Sequence, residues 1–106
     1  MIPLLTVQDR LPLDKLGLML APDFAVPKGG WEDRSETVTV APPSGEPFET
    51  PALITASHLC VSKGAKDRDW RIVVILFSCT EKQVPAGSTI LAAEEIVREL
   101  LSHSGA

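Results

Sequence analysis

Apolar positions fall into short runs broken by proline and glycine along this chain. Residues 3–8 form a short apolar segment suited to open a sheet as an edge strand. Residues 16–21, Leu16-Gly17-Leu18-Met19-Leu20-Ala21, are apolar throughout and lie between Pro12 and Pro22. That length suits a buried strand better than a helix. Gly17 within the run points to a bulge or a close approach of two backbones. Residues 22–34, with Pro22, Pro27, Gly29 and Gly30, predict the longest loop. Residues 35–41 read as a strand, because Thr37, Val38, Thr39 and Val40 are β-branched and alternate polar with apolar. Pro42 to Pro47 is a turn cluster and Phe48 to Val61 a second extended run. Together they predict a hairpin with a longer loop. Pro51 lacks an N–H, which places that end on an edge or at a bulge.

Ser62 to Asp69 predicts a polar turn, and Trp70 to Phe77 the strongest strand of the chain. Ile72 to Leu76 are apolar on both faces, so that strand is central or part of a closed wall. Val84-Pro85-Ala86-Gly87 is a turn, and Ser88 to Leu91 a last short strand. Ala92 to Ser102 is the one predicted helix, with Ala93, Ile96, Val97, Leu100 and Leu101 on one face. Glu94 and Glu95 in its first turn and Arg98 and His103 near its end suit the helix dipole. Gly105 follows, where chains often leave a helix. The apolar stripe has to be covered by the sheet or by an open barrel end. The expected fold is mainly β (α+β): a small antiparallel, partly open barrel or rolled sheet of five to seven strands. One C-terminal amphipathic helix completes it, and residues 1–106 are expected to form a single domain.

Composition narrows the function classes. A chain of 106 residues can bury a core without disulfides or metal staples. The formal charge of −4 repels phosphate backbones and anionic lipids. Two cysteines, Cys60 and Cys79, do not make a disulfide scaffold. No apolar run approaches the ~20 residues of a membrane helix. The start has Leu4 and Leu5 but no basic region before them, and Asp9 and Arg10 follow, unlike a signal peptide. A cytoplasmic protein of bacterial type is expected.

Val7-Gln8-Asp9-Arg10-Leu11 leading into Leu16-Gly17-Leu18-Met19-Leu20 resembles the small β-barrel that follows the GTPase domain of translation elongation factors. Val84-Pro85-Ala86-Gly87-Ser88-Thr89-Ile90 is similar to the glycine turn feeding a strand of that barrel. The two pieces cover under a fifth of the chain. The resemblance implies a barrel and transfers no function. The chain has no G-x-x-x-x-G-K-[ST] phosphate loop, which excludes a GTPase.

His58 and Cys60 are two residues apart on an extended segment and share a face. Thiolate and imidazole are the raw material of a nucleophile pair. A hairpin turn centred near residues 65–66 sets Cys60 opposite Arg71, His58 opposite Val73 and Cys79 opposite Ala52. A neighbouring arginine would lower the thiol pKa. No third residue orients the imidazole, and cysteine is more often a small buried hydrophobe. On that plainer reading Ala52, Ile54, Ala56 and Cys60 face the core, with His58 near its rim. His58, Cys60, Cys79 and His103 lack paired zinc-site spacing, so no metal or cofactor is expected. A Cys60–Cys79 disulfide is not expected, because that register sets the two residues too far apart. Lys63, Lys66, Arg68 and Arg71 beside Trp70 suggest a nucleic-acid contact. The interleaved Asp67 and Asp69 favour a solvated turn instead.

Trp31, with Glu32, Asp33 and Arg34, is the candidate partner-binding group. A tryptophan on a long loop either plugs a core end or anchors a partner. The plug is favoured, because exposing so large an apolar ring to water is costly. Glu32-Asp33 and Glu94-Glu95 are paired carboxylates without an identifiable hydrolytic role. The functional expectation is a small non-enzymatic binding or protein-interaction module, with a protein partner or self-association. A small enzyme or ligand carrier using the His58/Cys60 face is the alternative, and an RNA-binding barrel the third.

Overall fold

A computed structural model describes residues 1–27, 29–57 and 70–104, with side chains as far as Leu101. Among the described residues there are seven strands and one helix. The strands are β1 (Ile2–Thr6), β2 (Asp9–Leu13), β3 (Gly17–Ala25), β4 (Arg34–Ala41), β5 (Phe48–Ser57), β6 (Arg71–Leu76) and β7 (Thr89–Ala92); the helix is α1 (Glu94–Ser104). The strands form one antiparallel sheet in the order β1-β7-β4-β5-β6-β3-β2.

The sheet has to curl. β1 and β2 are its opposite edges, yet only Val7 and Gln8 separate them in the chain. Three Cα steps of 3.8 Å span at most about 11 Å, so the edges nearly meet. The result is a barrel-like half-cylinder with its two edge strands tied by the two-residue link Val7-Gln8. The expected mainly β fold with a C-terminal helix is the observed one.

Side chains that alternate inward build the core. Leu18, Leu20, Val38, Val40, Ala52, Ile54, Ile72, Val74, Leu76 and Ile90 are buried together on the concave face. Helix α1 packs against β1 and β3 and closes that face with Ile96, Val97 and Leu100. Met19, Val73 and Ile75 form a second, outer cluster with Leu13 and Leu53 against it. That outer cluster is why β6 is apolar on both faces.

Several expectations need correction. Leu101 belongs to the periodic stripe but is 43% exposed, because Ala93, Ile96, Val97 and Leu100 already fill the contact. β2 was not expected: Asp9-Arg10-Leu11-Pro12-Leu13 is mostly exposed and is a strand because β3 pairs with it. The 22–34 loop is shorter than expected, since β3 runs through Pro22 to Ala25. Pro22 lies where the β3–β6 register shifts, between Leu20 and Phe24, so its missing N–H breaks no ladder.

Pro51 lies in an interior strand, not on an edge, and no bulge marks its pairing with Thr37. It lies one residue beyond the last β5–β6 pair, Ala52 with Leu76. Phe77 N–H still donates to Pro51 O at 3.0 Å. Phe77 O, which a normal residue 51 would satisfy, accepts the Thr50 hydroxyl at 3.3 Å. The β5–β6 register also differs from the expected one: Arg71 faces Ser57, Val73 faces Thr55, and Ala52 faces Leu76. Ser57 thus takes the place opposite Arg71 that the expected register gave to Cys60, a residue outside those described. The register is offset by three residues from the assumed one, because inward Ala52 and Ile54 align with inward Leu76 and Val74.

No helix among the described residues is long and apolar enough to cross a membrane.

Candidate functional site

The β2–β3 hairpin and the segment after β6 stand side by side at one end of the sheet. Residues 14–16 turn the hairpin, with Leu16 N–H donating to Leu13 O at 3.2 Å. Lys15 adopts φ 64° in that turn. Gly17 then brings β3 directly against the end of β6, so that a Cβ there would lie 2.0 Å from Leu76 O. No side chain fits. The close approach anticipated at Gly17 is therefore present.

Past β6 the chain turns through Ser78, at φ 59°. Cys79 Sγ lies 3.5 Å from Thr50 Oγ1. The Thr50 hydroxyl also reaches Phe77 O at 3.3 Å and Pro51 O at 3.5 Å. Gln83 Oε1 accepts from Thr80 N–H at 2.9 Å and braces the following turn. Between the two segments runs a groove of about 610 Å³. Pro12, Leu13, Leu16, Leu18 and Phe77 supply its apolar lining; Lys15, Ser78, Cys79, Thr80 and Glu81 supply its polar lip. Leu16 is 45% exposed, a large apolar side chain standing in water at the mouth.

Both turns beside the groove hold a non-glycine residue in the left-handed region, which costs about 1–2 kcal/mol each. Glu81 lies 3.4 Å from the Arg10 guanidinium. Arg10 Nε is buried and has no hydrogen-bond partner among the described residues.

The Trp31 group is partly assembled. Trp31, Glu32 and Arg34 line a shallow polar groove of about 510 Å³ with Gly29, Gly30 and Glu99. Trp31 packs on the core, and its indole N–H donates to Ile54 O at 2.9 Å. The Arg34 guanidinium lies 4.6 Å from the ring centroid and bonds Glu99 of α1 at 2.8 Å. Asp33 goes elsewhere, accepting the Thr55 hydroxyl on β5. Trp31 thus has its polar handle used and one face covered by arginine.

Arg71 donates from Nε and Nη2 to Asp23 Oδ1 at 3.2 and 3.1 Å, so its charge is compensated within the fold. His58, Cys60, Lys63, Lys66 and Arg68 lie outside the described residues. Among the described residues no group of three or more His, Cys, Asp and Glu is placed to hold a metal.

No protein-family model, curated protein or solved structure matches this chain.

Sequence reasoning did not find the groove. Leu16 belongs to the run read as a buried strand, Lys15 to no predicted element, and Cys79 enters the sequence reading only as a metal-ligand or disulfide candidate. The one legible signal was Gly17, a glycine inside an apolar run.

Proposed function

We propose that this chain is a non-enzymatic, single-domain protein-interaction module of the bacterial cytosol. Its binding surface is the groove between the β2–β3 turn and the segment after β6. One observation carries this reading: an apolar groove with Leu16 exposed at its mouth, held between two turns that each keep a non-glycine residue at positive φ. Strain of that kind concentrates at binding sites, where the surrounding fold over-determines it. Concave apolar surfaces with a few polar groups are also the usual form of a binding site. The thiol of Cys79 hydrogen-bonds Thr50, an arrangement suited to packing and not to nucleophilic chemistry.

The test compares proteins captured from lysate of the source organism by the wild type and by Leu16→Asp. Leu16 is exposed enough for the substitution to spare the fold, which a thermal melt checks. A stoichiometric protein held by the wild type and lost by Leu16→Asp is the expected result. Identical captures by both forms would remove the groove from consideration.

A further inference from the structure

We infer that the groove takes a peptide segment in which an apolar side chain is followed by a carboxylate. This rests on the proposed reading of the groove and adds the chemistry of its occupant. The apolar half of the argument is the lining: Leu13, Leu16, Leu18 and Phe77 offer no charge and few hydrogen bonds. A side chain that packs against this lining gives up water on that face, which favours an apolar one.

The other half is charge. Two charged side chains line the groove, Lys15 and Glu81. Glu81 is already paired with Arg10 at 3.4 Å. No ion pair involves Lys15 among the described residues. Asp14 is its chain neighbour but does not line the groove. The lining together with Arg10 therefore presents one uncompensated positive charge, at the lip. The backbone of Lys15 sharpens the point. At φ 64° the turn asks for glycine or asparagine. A lysine there contributes nothing to the turn and places an ammonium beside an apolar slot. The complementary ligand carries a carboxylate one or two residues from its buried side chain.

The test uses two fluorescein-labelled peptides with the same Leu-Phe centre, one followed by two aspartates and the other by two lysines. Fluorescence anisotropy measures their binding to the wild type, to Lys15→Asn, which suits the turn and removes the charge, and to Lys15→Glu. An exposed pair is expected to favour the acidic peptide by about three- to fivefold on the wild type. Lys15→Asn abolishes the preference, and Lys15→Glu reverses it. Binding of both peptides with the same affinity in all three proteins would overturn the charge assignment while leaving the groove as a binding site. Absence of binding by either peptide up to ~1 mM, with all three proteins folded, would overturn the inference and the groove reading together.

Discussion

Val7 accepts from Gly87 and donates to Ser88, which carries the β1–β7 pairing one step past the end of β1. Gly87 N–H donates to Val7 O at 2.7 Å, and Val7 N–H donates to Ser88 O at 2.7 Å. The next residue, Gln8, turns to the other edge and donates to Ala21 O at 2.9 Å. Val7 is 1% exposed, so these polar groups are shielded from water. The transfer from one edge to the other is thus completed between two consecutive residues.

Gly87→Ala should destabilise the fold by about 1–2 kcal/mol. The residue has φ 94°, and a Cβ would sit 3.2 Å from Pro43 Cγ. A denaturant melt measures the loss. An unchanged midpoint would mean that this pairing adapts freely.

Gly17→Ala should be worse, by at least about 2 kcal/mol, because the clash at 2.0 Å is with backbone that cannot move aside. β3 would be driven from the end of β6. Hydrogen exchange should show lost protection in β6 before the rest of the sheet.

Leu100 and Leu101 are neighbours with opposite expectations. Leu100 is 0% exposed, and Leu100→Ala should cost about 2–4 kcal/mol. Leu101→Ala should stay within about 0.5 kcal/mol. Equal losses would show that the helix is rotated from the described position.

Trp31→Phe keeps an aromatic ring over the core but removes the indole N–H that donates to Ile54 O. A loss of about 1 kcal/mol is expected in a chemical melt. Capture of a partner should be unaffected, since the proposed groove lies elsewhere.

Glu99→Gln breaks the ion pair to Arg34, whose two side chains are each about a third exposed. Solvent screening limits the cost to less than about 1 kcal/mol, and the difference should vanish in ~1 M salt. A larger, salt-insensitive loss would point to a role for Glu99 beyond this pair.

Much of the fold was legible because its signals are local. The β-branched alternation of Thr37 to Val40, the apolar run of Ile72 to Leu76 and the periodic face of Ile96, Val97 and Leu100 each depend on a few neighbouring side chains. β2 escaped because Asp9 to Leu13 has no such pattern; its strand conformation is imposed by β3. The site was less legible still. Lys15 and Glu81 are 66 residues apart, and nothing near either one announces the other. The expected partner group fared better in part, since Trp31 and Arg34 are close in sequence and meet in space, while Asp33 turns toward Thr55.

Local pattern by itself determined the strand-rich class, the terminal helix, the turns at proline and glycine, and that Gly17 marks either a bulge or a close backbone approach. Those follow from side-chain periodicity and backbone sterics within a few residues. Tertiary structure alone decided the strand order, the pairing of Arg71 with Asp23, the hydrogen bonds of Val7 with Gly87 and Ser88, and the groove beneath Leu16. Each of these depends on which distant backbones pair and in what register, and a one-residue change of register would have turned every side chain to the other face.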